Sequence, residues 1–475
     1  MKRRTKPLRA SNSFSYNSWK GYLFMRLERV LIVDGYTDEP SGLGVPPYID
    51  VYPRYIAGAV WHHIGSSATV HYATVDEFRR LPWLSRAEEY DAVVFIAGIT
   101  VPGKYLDGQP ASPEELIRWS RIIEKPFKIL AGPIARFGTG VRGGSQARVL
   151  RELRRAGFDE IVTGDVDEYM RSLLTEGPEK ASPWMTRRDY TYADIYLVKG
   201  ARIVRMHRRY GHGLTAEIET YRGCARWVSG GCSFCIEPLY GKPIQRDIRS
   251  IVREVEALYK EGVVDFRIGR QSDFYVIGSP ELGEEEWPRP CPDCIESLLK
   301  GIRRNAPYIR TLHIDNANPG TIYRYPTEST LITKYIVRYH TAGDVVALGL
   351  ETADPRVARL NNLNTLPDEA YAAIKLVNRY GSIRNNDGVP HLLPGLNFIL
   401  GLPGETGETL ELNREFLLRL LEEGYMVRRV NIRRLLVIPG TKVSTLKPRL
   451  TGKSESRHRM FVRWVRDFFD KTMLT

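Results

Sequence analysis

The stretch YRGCARWVSGGCSFCIEP (residues 221–238) holds Cys224, Cys232 and Cys235, three of the five cysteines in the chain. Three thiols this close point to a soft-metal site. A structural zinc takes four ligands, and no histidine lies in the loop; His212 is the nearest upstream and His313 the next downstream. A four-cysteine iron–sulfur site is also one ligand short. Three ligands on a four-iron cluster leave one iron open, and an open metal position is what a catalytic centre keeps. The bland alternative is three inert buried cysteines. The tight spacing, the glycines and the strand-like LTAEIETYRG (residues 214–223) leading into the loop argue against it.

Working downstream, LTAEIETYRG opens a series of apolar strand candidates: VVDFRIG, YIRTLHID, DVVALGLE, GLNFILG and RVNIRRLLVI. Helical patterns lie between them. Ile248, Ile251, Val252, Val255, Leu258 and Tyr259 keep one face at helical spacing, and another helix begins near Thr409. Six βα units predict a partial (β/α)6 barrel over residues 213–445, with its chemistry at the C-terminal strand ends where the cysteine loop lies. Upstream, RVLIVDG, ATVHYATV, DAVVFIAG, FKILAGP and FDEIVTG alternate with helical stretches such as SPEELIRWSRII, in which Ser112 and Glu115 suit a capping box. The expected fold class is α/β: a flavodoxin-like doubly wound sheet over residues 28–175, then the barrel. Residues 176–212 read as a connector with a charged ribbon, 446–475 as a C-terminal amphipathic helix, and 1–27 as a basic tail.

The 475-residue chain suits two domains or slightly more, and its 43% hydrophobic content is ample for their cores. A net charge of +13 favours polyanions such as RNA or DNA, or small anionic substrates, over a merely solvated basic surface at even odds. No run of eighteen apolar residues is present, so no membrane partner is expected. No apolar segment follows the basic start, which argues against a signal peptide. Cysteines gathered at two places do not resemble a secreted disulfide framework, so a reducing, cytoplasmic location is expected. The second place is PCPDC, with Cys291 and Cys294: half a metal site, a redox dithiol, a disulfide or a structural pair.

The cysteine loop resembles that of the radical S-adenosylmethionine (SAM) enzymes. CSFC fits their pattern with Phe234 as the aromatic before the last cysteine, although the first gap is seven residues instead of three. ALGLETAD resembles a fourth-strand segment, LNFILGLPGET a fifth-strand motif, HIDNANPG a third-strand end and VIPGT the end of the sixth strand. IGRQSD stands where many members carry Gly-Gly-Glu. The resemblance implies a [4Fe-4S] cluster on Cys224, Cys232 and Cys235. It implies SAM held by Phe234, Glu351, Gln271 and Asn318 and by the backbone of Ile399, Leu400 and Gly401. It also implies reductive cleavage of SAM to a 5′-deoxyadenosyl radical, fed by an electron donor such as ferredoxin or flavodoxin. Ser272, Asp273, Asp315 and Asn316 on the same face, and Arg222 and Arg226 beside Cys224, are further candidates for SAM or substrate, the two arginines also for tuning the cluster by charge, with ordinary loop and surface roles as the alternative.

The N-terminal region resembles the cobalamin-type domain that precedes many such barrels. The Asp-x-His-x-x-Gly ligand motif is missing: DGYTDEPSGLGVPPY follows the first strand without a histidine. Bound cobalamin thus ranks below a plain substrate platform. The methylthiotransferases carry three further cysteines in a related domain; here none precedes Cys224. As a whole the chain resembles an archaeal group of radical SAM proteins with the YRGC…GGCSFC loop. The expected function is modification of RNA, in the first place tRNA. The alternatives are methyl transfer to a small metabolite or lipid, with cobalamin a possible partner, and a nucleic-acid-binding protein with a structural cluster.

Overall fold

The computed structural model describes residues 27–37, 47–80, 82–99, 108–140, 143–148, 153, 156–446, 448 and 454–474. The basic tail expected at the start therefore lies outside the described residues, except for the buried Leu27.

Short apolar runs buried on both faces make parallel strands, and the first half of the chain is built from them. β1 (Arg29–Asp34), β3 (Thr69–Thr74), β4 (Ala92–Ile96), β5 (Phe127–Ala131) and β7 (Glu160–Ile161) form one parallel sheet in the order β3-β1-β4-β5-β7, which is the flavodoxin-like winding. The capping box closes as expected: Ser112 Oγ accepts from Glu115 N at 3.2 Å, and the Glu115 carboxylate accepts from Ser112 N at 3.0 Å.

The second series runs β8 (Thr215–Glu219), β11 (Asp265–Arg270), β12 (Thr311–Ile314), β13 (Asn316–Ala317), β14 (Asp344–Glu351), β15 (Leu392–Leu400) and β16 (Arg429–Arg434), each parallel to its neighbour. Hydrogen bonding divides them into a set of three (β12-β11-β8) and a set of four (β13-β14-β15-β16), because the ladder breaks between β12 and β13. One backbone bond, Ala347 N to Asp315 O at 2.8 Å, bridges the break. The helix predicted after the cysteines spans Ile248–Lys260, opened by the Asp247 carboxylate accepting from Arg249 N and Ser250 N.

Three expectations need correction. Residues 176–212 are not a ribbon: they contain the helix Thr191–Gly200 and a 3-10 turn Ala201–Met206. That helix lies against the helix Val51–His63 so closely that a Cβ on Gly58 would stand 1.9 Å from Tyr196 O. RVNIRRLLVI is not one strand, since β17 (Leu436–Val437) leaves β16 to pair with β6 (Ser145–Gln146). LTAEIETYRG likewise breaks at Thr220, and β9 (Tyr221–Arg222) pairs antiparallel with β10 (Ile244–Gln245). The described C-terminal helix, Ser454–Trp464, continues through a π-turn into Asp470–Leu474.

Two short strands tie the halves together. β2 (Tyr48–Ile49) adds to the outer edge of β8, and β6 joins β17 just after the last barrel strand. Buried ion pairs reinforce this junction. Arg187 grips the Asp167 carboxylate with two nitrogens, at 2.8 and 2.9 Å, and reaches Glu219 at 3.0 Å. Tyr55 and Tyr190 hydroxyls donate to the same Glu219 oxygen, at 2.8 and 2.6 Å. Burial alone would raise Glu219, but the guanidiniums of Arg187, Arg270 and Arg222 and the Tyr190 hydroxyl outweigh it and hold the carboxyl at about 2.

Candidate active site

β8 ends at Glu219, and the chain turns through the buried Tyr221 into the cysteine loop. The Tyr221 hydroxyl donates to Asp273 O at 2.9 Å and accepts from Asp273 N at 2.7 Å, while Ser272 Oγ donates to Gly223 O at 3.1 Å. The loop after β11 thus fixes where the cysteine loop departs.

The seven-residue gap is an ordered plug. Residues Ala225–Ser229 wind into a 3-10 turn, and Gly230 and Gly231 adopt left-handed backbone (φ +77° and +62°) to bring the chain back to Cys232. Arg226 inside it is buried. Its guanidinium donates to Cys232 Sγ at 3.4 Å, Asn362 O at 2.8 Å, Asn362 Oδ1 at 3.1 Å and Glu286 Oε1 at 3.1 Å. Asn362 Nδ2 donates to Gly231 O at 2.9 Å, and Ser233 Oγ to Asn361 Oδ1 at 2.8 Å. Trp227 Nε1 reaches Gly283 O at 3.1 Å. Asn361, Asn362, Glu286 and Trp287, whose ring lies under Arg226 at 5.3 Å, were not among the residues singled out from the sequence. Their signal was weak: an NNLN cluster and one glutamate of an acidic loop.

The three cysteines are each partly buried and sense one another's charge. Burial pushes Cys224 up to about 12, with the neighbouring Cys232 adding to it. Cys235 is raised well above its ordinary value by burial, Glu237 and both other cysteines. Cys232 is raised by burial and by the Glu351 carboxylate, with Arg226 opposing. Such thiols ionise only beside a positive partner, and a metal cluster supplies one. Among the described residues, no three Cys, His, Asp or Glu side chains converge on the position of a single ion. Thiolates of a four-iron cluster bind different irons and need no such convergence.

Glu351 ends β14 with a left-handed backbone (φ +64°), a conformation non-glycine residues rarely take. Its side chain is buried, and no hydrogen bond to it is formed by the described residues. Burial pushes its carboxyl up to about 8, with Arg433 the opposing charge. Phe234 and Ile399 pack, with Cys232, on one small apolar cluster built on Val357, Leu402, Leu435 and Val443. Gly401 is left-handed (φ +90°), and its N–H donates to Glu405 Oε2 at 2.8 Å, so that amide is already engaged. Leu400 O accepts from Leu435 N at 2.8 Å. Gln271 is engaged as well: its amide donates to Ile268 O at 2.8 Å and accepts from Thr220 Oγ1 at 3.3 Å. Asn318 caps the helix Pro319–Arg324 through Gly320 N at 2.9 Å. Arg222 pairs with Asp165 at the start of the helix Val166–Glu176, and Arg267 stands 3.8 Å from Asp315, so both face protein carboxylates. Asn316 Nδ2 donates to Gln271 O at 3.4 Å.

The model of the radical SAM superfamily matches residues 218–417, from inside β8 to the helix Gly407–Glu422. An uncharacterized protein of Methanocaldococcus jannaschii is 41% identical over 461 residues, covering 95% of this chain and 82% of that protein. The chain belongs to the radical SAM superfamily. As a radical SAM enzyme it works with a [4Fe-4S] cluster and SAM and needs a reductant. The ribosomal protein uS12 methylthiotransferase RimO of Thermoanaerobacter is similar at 26% identity over 274 residues, 54% of this chain and 56% of that protein. The radical SAM methyltransferase TsrM of Kitasatospora setae, solved with cobalamin and a [4Fe-4S] cluster, shares the fold over 88% of this chain and 77% of that chain (TM-score 0.57, 15% identity). No helix among the described residues is long and apolar enough to cross a membrane.

Proposed function

We propose that this radical SAM enzyme modifies RNA, with tRNA the first class to examine, and that one nucleoside enters the barrel lumen. Cys224, Cys232 and Cys235 would hold the cluster, with Phe234, Glu351 and Ile399 beside SAM. When bound, these cofactors supply a 5′-deoxyadenosyl radical that takes a hydrogen atom from the substrate. The protein's part is to hold the substrate's polar edge and exclude water.

One observation carries the RNA reading. Leu396, Phe398 and Leu400 of β15 face the core, so the alternate Asn397 faces the lumen, and Asn431 of β16 stands opposite it in register. Asn431 Nδ2 donates to Asn397 Oδ1 at 2.9 Å. That bond leaves an amide donor on Asn397 and a carbonyl acceptor on Asn431 side by side, a pairing suited to a nucleobase edge. The net charge of +13 fits a polyanionic substrate. The test compares modified nucleosides by mass spectrometry in total tRNA from wild-type and deletion strains. A missing nucleoside supports the reading, and identical profiles across tRNA and rRNA sink it. A ferredoxin- or flavodoxin-type donor would feed the electron.

The second reading is cobalamin-assisted methyl transfer to a small molecule, favoured by the fold shared with a cobalamin-bound methyltransferase. The described carboxyl ends of the N-terminal strands offer no histidine. Ile99 and Phe137 there pack against Ile236, Leu239 and Tyr240, which follow the last cluster cysteine. A corrinoid would thus have to sit without a histidine ligand and beside that contact. Retention of cobalamin absorbance after gel filtration would favour this reading over RNA.

A further inference from the structure

We propose that Cys291 and Cys294 form a thiol–disulfide exchange site that controls how firmly the cysteine loop is clasped. The two are joined by a disulfide at the start of the 14-residue helix Pro292–Asn305, and both are only partly buried. Cys291 is the cap of that helix, and its Sγ accepts from Cys294 N at 3.3 Å. Peptide N–H groups at a helix start favour a thiolate, so Cys291 is the better of the two as a leaving group. Cys294 Sγ stands 3.4 Å from Gly278 O, a ready acceptor for the reduced thiol.

The segment 279–290 lies between Gly278, which packs on Cys294, and Cys291 of the disulfide, and it holds the plug beside the cluster cysteines. Gly283 O takes the Trp227 indole at 3.1 Å. Glu286 Oε1 takes Ser229 Oγ at 2.7 Å and Arg226 Nε at 3.1 Å. Arg226 in turn donates to Cys232 Sγ at 3.4 Å. Gly278, at the other end of the segment, is left-handed (φ +78°) and packs so tightly on Cys294 that a Cβ there would stand 2.5 Å from the Cys294 Cβ. Opening the disulfide unties Cys291, at the C-terminal end of the segment, from Cys294, which packs on its N-terminal end.

The exchange balances with a cellular dithiol as reductant. One of its thiolates attacks Cys294 Sγ, the S–S bond breaks, and Cys291 leaves as a thiolate and takes up a proton. The reductant's second thiolate then attacks the reductant's own sulfur in the mixed disulfide and releases Cys294, which is protonated from solvent. Two electrons pass to the pair, and the dithiol becomes a disulfide.

The test uses the full-length protein with its cluster, kept anaerobic, in graded mixtures of reduced and oxidised dithiothreitol. Alkylation and peptide mass spectrometry report Cys291 and Cys294, and hydrogen exchange reports residues 279–290 and 224–236. The pair is expected to reduce without denaturant, with amide exchange rising about threefold or more in both segments. Cys291→Ser is expected to show the reduced pattern in every mixture; should that variant not fold, the wild-type titration decides alone. A disulfide that opens only in denaturant, or opens with unchanged exchange in both segments, overturns the proposal. Neither RNA nor SAM turnover is read, so failure here leaves the RNA reading standing.

Discussion

Glu351 is a carboxylate kept under strain. Its left-handed backbone and the burial of its side chain both cost free energy, of the order of 1–3 kcal/mol for the backbone alone. A ligand that donates hydrogen bonds to it offsets that cost. With its carboxyl at about 8, Glu351 is neutral through most of the physiological range and becomes a charged, acceptor-only group as it ionises. SAM affinity is therefore expected to rise with pH up to about 8 and then level off. Glu351→Gln should flatten that profile and weaken SAM about tenfold or more, read by anaerobic equilibrium dialysis. A pH-independent wild-type affinity would remove Glu351 from SAM binding. The cysteines give a simpler expectation. Alanine at Cys224, Cys232 or Cys235 should each abolish the visible iron–sulfur absorbance and most of the bound iron, since two thiolates hold such a cluster poorly. Asn397→Ala should leave SAM cleavage intact while product falls, because the amide pair touches substrate in the proposed function.

At the scale of elements, the contact between the helices Val51–His63 and Thr191–Gly200 depends on two glycines. A Cβ on Gly58 meets Tyr196 O, and one on Gly200 would stand 2.2 Å from Arg54 O. Gly58→Ala is expected to destabilise the protein by about 1–3 kcal/mol, seen as a lower denaturation midpoint. This crossing also explains what was unreadable in the sequence. DIYLVKGARIVRMHRRY mixes apolar and basic residues at no clear period, since the helix buries Ala193, Tyr196, Leu197 and Gly200 on one face while Tyr192, Ile195 and Val198 stand exposed on the other, so its apolar residues mark no single stripe. Ile251, Val255 and Leu258 repeat at helical spacing with mostly polar residues on the opposite face, and that helix was legible in the sequence. Apolar runs such as RVLIVD and DAVVFIAG were legible as strands for the same reason that they are buried on both faces. The cysteine trio was legible because only soft-metal chemistry needs that spacing. Arg226 was named as a candidate, but Asn361 and Asn362, which hold it and the loop, were not, because their use depends on where a distant loop returns.

At the scale of the molecule, the junction of the two halves is held by buried charge. Glu219 is held at about 2 against an ordinary 4.5, so its contribution is fully present above pH 4.5 and is lost as pH falls from there toward 2. It amounts to an upper bound on the order of 3 kcal/mol. Glu219→Gln should lessen the acid sensitivity of unfolding between those pH values and lower stability near neutrality, read by denaturant titration at several pH values. The same junction predicts one calorimetric transition for the whole chain; two separate transitions would show that the sheet and the barrel unfold independently. The pairing of Tyr48–Ile49 with the edge of β8 has a consequence for biosynthesis. A ribosome delivers that short strand long before its partner. The N-terminal sheet can fold while the barrel is still being made, and it then presents a waiting template on which the first barrel strand docks as it emerges. The exposed edge of a half-made barrel, a site where nascent chains stick to one another, is covered from the moment it forms.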